Sequence, residues 1–440
     1  MASVTSSATS PPRYFWIFLC LIIVSCLLLF LVPWRLWADF TDAVHLLPSS
    51  TASQSFSKTL NNSTIEELLH NISRQVKVPG VDCAAIFEGS KNETDAARAM
   101  TRNVSSPISD ACYLNITENC DDFKKQRGYI MSSLTDEEEQ FPIAYSILVY
   151  KDSEMVERLL RAIYRPQNFY CIHVDQKASN DCFEAITSIA KCFPNVFLAS
   201  RRISVAWGWF TVLEPEIVCM EDLWKYRKWK YFINLTGQEF PLRTNHELVK
   251  ILMAFQGAVD VSSSVKALDR RRLRGRNPPH GLRPAKGSVH IAANREFVDF
   301  VLHNQTSKDL LNWGRKIKFA DETYFAMLSS NPKLGIKGTD KGDPENNHGW
   351  ESFVRYKSWK WGPCAGYYVR KICILSTGDL PRLGKSIQMF ANKFYLQEDR
   401  VVIGCLEEKI FNDTRDEYMG TKVFDTTLYQ NATFIKNKFD

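Results

Sequence analysis

The stretch PIAYSILVYKDSEMVERLLRAIYRPQNFYCIHVD, residues 142–175, sets the fold class of this chain. It opens with an apolar run of strand length (142–150) and continues with EMVERLLRAIY (154–164), whose apolar residues recur at helical spacing. A second apolar run, FYCIHVD (169–175), indicates another strand. Two strands joined by a helix are typical of a parallel pair whose connecting helix covers the sheet.

The same alternation continues along the chain. The next segments are predicted to be helix and strand in turn: CFEAITSIAKC (182–192), NVFLAS (195–200), a helix near 211–224, KYFINLTG (230–237) and a helix from Asn245, which is expected to cap it. This rhythm predicts an α/β fold with a mostly parallel sheet covered by helices. With 440 residues, 45% of them hydrophobic, the chain can bury a substantial core.

The N-terminus carries a candidate membrane span. Residues 14–32, YFWIFLCLIIVSCLLLFLV, are nineteen residues without a charge, enough for a helix to cross ~30 Å of hydrocarbon. A cleavable signal peptide usually has a shorter apolar stretch that ends at small residues, whereas this one ends in PWRLW. We therefore predict a cytoplasmic tail over 1–13 and an uncleaved signal-anchor transmembrane helix over 14–34.

Glycosylation sequons place the remainder of the chain in the lumen. Asn-x-Ser/Thr occurs ten times, always after the span, and six of these triplets fall between residues 61 and 115. Residues 35–115 are therefore predicted to be a glycosylated stem, followed by a folded lumenal body over 116–440. Asn234 falls in a predicted buried strand, where a glycan would not fit. The predicted glycosylation sites are Asn62, Asn71, Asn92, Asn103, Asn115 and Asn304.

Cysteine content and charge restrict the function classes. Cys20 and Cys26 fall in the predicted span and leave ten cysteines for the lumen, an even number that indicates disulfides in an oxidising compartment. Zinc binding is disfavoured, since no C-x-x-C or paired Cys/His spacing occurs. The formal net charge of +6 is modest for this length and does not indicate a nucleic-acid partner.

Two positions are candidates for ligand binding. Asp175 closes the second predicted strand, where it could accept hydrogen bonds from a base or ribose or, equally, cap the following turn. In MFANKFY (389–395), Lys393 stands between Phe390 and Phe394, which suggests either a snorkelling surface lysine or a cation that holds an anion in a cleft. No G-x-G-x-x-G or G-K-[ST] loop is present to bind phosphate.

Two further segments leave their role open. DRRRLRGRNPPHGLRP (269–284) places five arginines within seven positions, and an exposed solvated loop is favoured there over an acidic-partner patch or a protease-sensitive site. YKSWKWGPC (356–364) offers aromatic faces that could stack on sugars, although core packing is the commoner use of such residues.

Several segments in the same order resemble the core-2-type branching β-1,6-N-acetylglucosaminyltransferases of mucin O-glycan synthesis, a family of Golgi-anchored enzymes. They are FPIAYSILVY (141–150), LLRAIYRPQNFYCIHVDQKA (159–178), CFPNVF (192–197), INLTGQEFPLRTNHE (233–247), ADETYF (320–325), YVRKICILSTGDL (368–380) and FANKF (390–394). The resemblance implies a glycosyltransferase A-type fold, with residues 116–440 as the lumenal catalytic domain of a single-pass type II Golgi membrane protein. It also implies inverting, metal-independent transfer of N-acetylglucosamine from UDP-GlcNAc, in β-1,6 linkage, to core-1-type O-glycans on glycoproteins.

The resemblance assigns the donor contacts. Arg370 and Lys393 align with the family's diphosphate ligands, Asp175 aligns with its uridine contact, and Tyr150 lies near the uracil position. No D-x-D triplet occurs in the sequence, so a metal-binding motif of that kind is not offered. Fixed cations aimed at the developing phosphate charge can take the place of a metal ion.

The family's general base aligns with Glu322, and the neighbouring Asp321 is its rival. A single carboxylate is sufficient to deprotonate the acceptor hydroxyl while its oxygen attacks the anomeric carbon. Without the resemblance, both carboxylates would be ordinary charges in the first turn of a helix, stabilised by the helix dipole.

The resemblance also implies a disulfide framework. The pairs that it implies are Cys83–Cys405, Cys120–Cys192, Cys171–Cys219 and Cys364–Cys373. Cys112 and Cys182 are left over in this chain, and we predict a fifth bridge between them. Cys364–Cys373 would bracket Arg370 and fix the loop that presents this cation.

The chain departs from the family pattern on the acceptor side. Glu239 stands in EFP where relatives have DFP, KGSVHIAANREF (286–297) replaces a segment with SGSAYF, and the acceptor aromatics fall near Tyr356 and Ser358, with Trp359 adjacent. Two alternatives stay open: transfer of another sugar such as glucose or xylose, and a non-catalytic Golgi glycan-binding protein. Retention of the base and both diphosphate cations disfavours the latter, because a lectin needs neither.

Overall fold

A computed structural model describes residues 62–101, 106–342 and 352–440. The predicted tail and signal anchor, and the sequon at Asn103, lie outside these residues. Within the part of the chain that is described, no helix combines the length and the apolarity needed to cross a membrane.

Short strands and helices alternate through the described chain. The strands are β1 (Ile143–Val149), β2 (Phe169–Val174), β3 (Val196–Leu198), β4 (Tyr231–Thr236), β5 (Glu239–Pro241), β6 (Asp260–Ser264), β7 (Lys286–Asn294), β8 (Arg355–Tyr356), β9 (Tyr367–Val369), β10 (Ile372–Ile374) and β11 (Phe390–Asn392). The helices are α1 (Asn62–Gln75), α2 (Cys83–Phe87), α3 (Lys91–Met100), α4 (Asp110–Ile116), α5 (Cys120–Arg127), α6 (Asp136–Gln140), α7 (Ser153–Ile163), α8 (Asn180–Lys191), α9 (Glu214–Trp224), α10 (Asn245–Ala254), α11 (Arg295–His303), α12 (Gln305–Gly314), α13 (Tyr324–Ser329), α14 (Leu380–Gly384), α15 (Arg400–Tyr418), α16 (Thr427–Gln430) and α17 (Thr433–Lys436).

A six-stranded sheet lies at the centre, in the order β3-β2-β1-β4-β7-β6. The four strands from β3 to β4 are parallel, whereas β7 runs antiparallel to both β4 and β6. The predicted mostly parallel, helix-covered sheet is confirmed, and it has an antiparallel edge that the alternation did not indicate. A separate three-stranded sheet, β5-β11-β8, and the hairpin β9-β10 complete the fold.

Each parallel strand is buried on both faces. Tyr145 and Ile172 pack into a core with α7, α8 and α10, whereas the neighbouring Ala144 and Cys171 pack into a second core with α9, α11 and α13. Successive side chains of a strand point to opposite faces, so two cores require nearly continuous apolar runs. This explains why β1, β2 and β4 could be found from the sequence.

The segment predicted to be a stem is helical and packed from Asn62 onward. In α1, Ile65, Leu69 and Ile72 recur at helical spacing and form a small core with Phe411 of α15. The disulfide Cys83–Cys405 joins α2 to α15 as well. Residues 62–440 form one compact unit, so the described part of the predicted stem packs with the body of the protein.

Most predicted glycosylation sites that the structure describes are exposed: Asn71, Asn92, Asn115 and Asn304. Only the backbone of Asn62 is described, as the first residue of α1. Asn234 is buried, and its amide donates to the carbonyl of Val289 at 2.8 Å, so this sequon is sterically closed as expected. Occupancy of the exposed sites stays a prediction.

Three of the five expected disulfides are present: Cys83–Cys405, Cys120–Cys192 and Cys364–Cys373. The other two pairs are free thiols, which corrects the prediction. The Sγ atoms of Cys171 and Cys219 are 3.0 Å apart, in contact but well beyond the ~2.05 Å of a disulfide bond. Cys112 is half-buried on α4, whereas Cys182 is buried in the main core, so their side chains lie in different environments.

Helix α10 also differs in detail from its prediction. Thr244, rather than Asn245, is the capping residue, and it forms a capping box with Glu247. Asn245 is the first helical residue.

Candidate active site

The two residues predicted to contact the nucleoside, Asp175 and Tyr150, lie at the carboxyl ends of β2 and β1. The backbone N–H of Asp175 donates to the carbonyl of Val149 at 2.7 Å, which fixes Asp175 at the sheet edge. Its Oδ1 accepts from the N–H of Lys177 at 2.9 Å, so it does cap the following turn, and its Oδ2 lies 4.0 Å from Lys177 Nζ. That Nζ also lies 5.8 Å from the ring centroid of Tyr150, which is 56% exposed. The two predicted nucleoside contacts are therefore neighbours.

A cluster of cations lies beyond the end of β11. Lys393 Nζ and Lys151 Nζ lie 5.5 and 5.4 Å from the ring centroid of Tyr395, and Lys151 directly follows the exposed Tyr150. Burial lowers the pKa of Lys393, and the positive charges of Arg370 and Lys151 lower it further, whereas the charge of Glu239 opposes this shift. Among the described residues, none of these three cations has an ion-paired carboxylate. Such a cluster is suited to bind an anion with more than one negative charge.

Arg370 is presented by a tight hairpin turn between β9 and β10. Val369 pairs with Ile372, so the turn contains only Arg370 and Lys371, with φ of 48° and 71°. A positive φ costs a non-glycine residue about 1–2 kcal/mol, and backbone of this kind is concentrated at functional sites. The Cys364–Cys373 disulfide closes the segment that carries the turn, as expected for a loop that must hold a cation in place.

The candidate base lies in a 3₁₀ turn, Ala320–Glu322, immediately before α13. The Glu322 side chain is 29% exposed; its Oε2 accepts a hydrogen bond from Arg272 and lies 3.9 Å from Lys286 Nζ. Asp321 differs sharply: its Oδ1 is buried without a hydrogen-bond partner. Burial, and then the charge of Glu322, raise the pKa of Asp321 to about 7. Of the two carboxylates, only Glu322 contacts basic side chains, those of Arg272 and Lys286.

A continuous series of stacked side chains links the base to the cations. The guanidinium of Arg272 lies 4.5 Å from the ring centroid of Phe319, whose ring meets that of Trp207 edge-on at 5.1 Å. The guanidinium of Arg370 lies 4.8 Å from the centroid of the same Trp207 ring. Glu322 and Arg370 therefore line one region, although 48 residues separate them in sequence.

A glycine makes this stacking possible. Gly208 has φ of 77°, and a Cβ added there would lie 3.2 Å from the Phe319 ring. The carbonyl of Gly208 also accepts from the N–H of Phe319 at 3.0 Å. Only glycine combines this backbone conformation with so close an approach.

A buried network of hydrogen bonds and an ion pair connects the strands next to the site. Glu239 is fully buried: its Oε1 accepts from Asn392 at 2.7 Å, and its Oε2 lies 3.1 Å from Arg355 and accepts from the N–H of Thr236 at 3.1 Å. Arg355 also donates to the carbonyl of Asn234 at 2.6 Å. The network therefore joins β4, β5, β8 and β11, and it positions the strand end from which Lys393 follows.

The acceptor side carries exposed aromatic rings. Trp359 and Tyr367 are about half exposed and Trp361 is 91% exposed, so this part of the Trp-rich segment is not core packing. Tyr356 is partly buried, and Ser358 is buried with its hydroxyl on the carbonyl of Pro363.

Comparison with known proteins decides the family. A family model described as Branch, Core-2/I-Branching enzyme, matches residues 143–384. The chain belongs to the Core-2/I-branching enzyme family. Relatives include β-1,3-galactosyl-O-glycosyl-glycoprotein β-1,6-N-acetylglucosaminyltransferase 4 of Danio rerio, 36% identical over 75% of this chain and 84% of the relative. The Homo sapiens enzyme named β-1,3-galactosyl-O-glycosyl-glycoprotein β-1,6-N-acetylglucosaminyltransferase is 33% identical over 75% of this chain and 85% of its own length.

A third relative is named for a different acceptor. N-acetyllactosaminide β-1,6-N-acetylglucosaminyl-transferase of Homo sapiens is 34% identical over 74% of this chain and 83% of the relative. The predicted family and enzyme class, a glycosyltransferase, are confirmed. The Core-2/I-branching match includes Tyr150, Asp175, Glu322 and Arg370, whereas Lys393 lies just beyond its end.

Sequence reasoning missed three residues that lie beside the predicted site residues. Arg272 belongs to the loop that was expected to be solvated: its neighbour Arg271 does pair with Asp269 at the surface, but Arg272 bonds to Glu322. Trp207 carried no signal beyond its residue type. Lys151 could have been found, because it directly follows Tyr150 at a strand end. In the described ranges, no group of three or more His, Cys, Asp or Glu is arranged to hold a metal ion.

Proposed function

We propose that this chain is an inverting transferase that moves N-acetylglucosamine from UDP-GlcNAc, in β-1,6 linkage, to core-1-type O-glycans, and that it needs no divalent metal. The relatives' names supply the sugar, the linkage and the class of acceptor. The observation that carries the metal-free mechanism is the cluster of Lys151, Arg370 and Lys393, three cations without an ion-paired carboxylate among the described residues.

The cations stabilise the leaving group. As the bond between the anomeric carbon and the diphosphate breaks, negative charge develops on the diphosphate oxygens. Arg370 and Lys393 are already fixed by a hairpin turn and by the end of β11, so they stabilise this charge without rearranging. Asp175 accepts hydrogen bonds from the uridine and Tyr150 lies against the uracil, at the strand ends where sheets of this kind bind nucleotides.

Glu322 acts as the general base. It accepts the proton of the acceptor's 6-hydroxyl as that oxygen attacks the anomeric carbon from the face opposite the diphosphate, which inverts the configuration. Its contacts with Arg272 and Lys286 hold the carboxylate in position before substrate arrives. The exposed Trp359 and Trp361 offer apolar faces to the acceptor glycan.

The cellular setting is part of the proposal. Residues 14–34 anchor a single-pass type II protein in the Golgi membrane, with the body lumenal. The three disulfides fit an oxidising compartment.

The reaction is tested by incubating the secreted lumenal chain with a panel of labelled nucleotide sugars and a core-1 acceptor, with and without chelator. We expect transfer from UDP-GlcNAc, resistant to chelator, with a β-1,6-linked product. Preference for UDP-glucose or UDP-xylose would replace the proposed donor, and glycan binding without turnover would support a lectin. Loss of turnover in chelator, restored by manganese, would reject the metal-free mechanism.

The base is tested with a matched pair of isosteric variants. Glu322→Gln should lower kcat by about 10²–10⁴-fold while UDP binding is preserved, because only proton transfer is removed. Asp321→Asn should retain turnover, because Asp321, whose Oδ1 is buried, is not the proposed base. The reverse pattern would move the role of base to Asp321.

A further inference from the structure

A second cationic site lies in a cavity of about 280 Å³ that shares no residue with the candidate active site. It is formed by the end of α1 and the segment after it, by α5, by α7 and by the start of α15. The charged side chains that line it are Lys77, Arg127, Arg158, Arg161, Arg400 and Glu407. Five of these six are basic.

Three carboxylates pair with these arginines. Glu157 Oε2 accepts from Arg127 at 2.6 Å and Glu154 Oε1 accepts from Arg158 at 3.2 Å, and neither glutamate lines the cavity. Glu407 does line it, and its carboxylate accepts from Arg158 at 3.0 Å and from Arg161 at 2.6 Å. Five basic side chains therefore share three carboxylates, which leaves the cluster with a net positive charge.

One guanidinium group has a donor without an acceptor. Arg161 is 5% exposed and lines the cavity, and its Nε has no hydrogen-bond partner. Oε1 of Glu157 lies 3.6 Å from that Nε, beyond hydrogen-bond distance. A buried N–H of a charged group without a partner is costly, and an acceptor that reached this Nε would remove that cost.

We propose that this cavity binds a small tetrahedral oxyanion, as free phosphate or sulfate or as the corresponding ester of a sugar. Guanidinium groups match the oxygens of such anions in paired, planar hydrogen bonds. The cavity exceeds the size of one sulfate ion and so leaves room for the organic group of an ester. A bound anion would tie the segment after α1, from Val76 to Pro79, to α7 and α15.

The proposal is tested on the full lumenal chain by calorimetry and by thermal unfolding. Sodium sulfate, sodium phosphate and N-acetylglucosamine 6-sulfate are compared with sodium chloride at equal ionic strength. We expect saturable heat and a Tm increase with the oxyanions that chloride does not give. Tighter binding of the sulfate ester would identify an ester as the natural ligand, and equal affinities would identify the free anion.

Two variants at the cavity mouth keep the buried arginines intact. Lys77→Glu and Gln75→Glu change exposed side chains and place a negative charge beside the anion, so each should weaken its affinity by about tenfold or more. Lys191→Glu, an equal charge change at an exposed site of α8, should leave the affinity unchanged.

The donor site must be separated from this one, because diphosphate ligands can also hold sulfate. In the double variant Arg370→Ala, Lys393→Ala, the anion affinity should persist. The proposal is overturned if this double variant abolishes binding, if the two mouth variants bind as the wild type does, or if sulfate and chloride act alike.

Discussion

Asn392 and Lys393 are adjacent residues that belong to two different clusters. The clusters differ in whether their charged groups are paired with opposite charges. Asn392 donates to Glu239 at 2.7 Å and so joins a buried network in which Glu239 and Arg355 compensate each other's charge at 3.1 Å. Lys393 joins a half-buried cluster in which Lys151 and Arg370 add positive charge and, among the described residues, no carboxylate is ion-paired with it. In the first cluster the charges are compensated within the protein. In the second, the positive charges would be compensated by a negatively charged ligand.

The difference separates structural charge from functional charge. A buried ion pair stabilises the fold only while both partners are present. A group of like charges costs stability in the free protein, which is tolerated where function requires it. We therefore expect substitutions in the first cluster to affect unfolding, and substitutions in the second to affect the reaction.

The largest effect is expected at Glu239. Glu239→Gln leaves the buried guanidinium of Arg355 without its counter-charge, so the free energy of unfolding should fall by about 3–5 kcal/mol in urea denaturation. Glu239→Asp keeps the charge, so it should cost clearly less. Equal stability of the Glu239→Gln variant and the wild-type protein would show that the network does not depend on charge compensation.

The second cluster should respond in the opposite way. Lys393→Ala should lower kcat/KM by about 10²–10³-fold and weaken UDP binding, because a fixed charge at the leaving diphosphate is lost. Its unfolding free energy should be unchanged or slightly higher, because repulsion from Arg370 and Lys151 is relieved. Steady-state kinetics and urea denaturation on the same preparation separate the two effects.

A matched control lies in the hairpin turn. Lys371→Ala removes an exposed lysine next to Arg370 and should leave kcat/KM close to the wild-type value. Wild-type kinetics in Lys393→Ala as well would return Lys393 to the role of a snorkelling surface lysine.

The parallel half of the sheet could be predicted from the sequence, because its strands are apolar runs buried on both faces. The predicted strands at 142–150, 169–175 and 230–237 match β1, β2 and β4 to within about one residue at each end. The short strands β8 and β11 could not be found, since two or three residues carry no periodicity. Their position depends on pairing with segments far away in the sequence.

Only part of the candidate site could be predicted from the sequence as well. Asp175 could be placed from the sequence because it ends a clear strand, and the resemblance supplied Glu322, Arg370 and Lys393. The contact of Arg272 with Glu322 could not be predicted, because an arginine run in a loop has the same sequence pattern whether its members face solvent or a carboxylate. Side-chain direction in such a loop is set by tertiary contacts, here the stacking of Arg272 on Phe319.

Asp321 differs from both clusters, because its charge is neutralised by a proton. Its Oδ1 is buried without a hydrogen-bond partner, and desolvation followed by the charge of Glu322 raises its pKa from 3.8 to about 7. Instead of pairing with a cation or binding a ligand, it retains its proton. The folded state therefore binds more protons than the unfolded state between these two pKa values.

The smallest predicted effect follows from this proton. Its stabilising contribution is complete below about pH 4 and is lost as the pH rises through about 7, so wild-type stability should decline by about 2 kcal/mol between about pH 5.5 and 7, relative to Asp321→Asn. Urea denaturation of both proteins at several pH values measures this difference.

In a Glu322→Gln background the decline should end at a lower pH, because the neighbouring charge that raises the pKa of Asp321 is gone. A difference that does not change with pH would mean that Asp321 is ionised in the folded protein and has a partner.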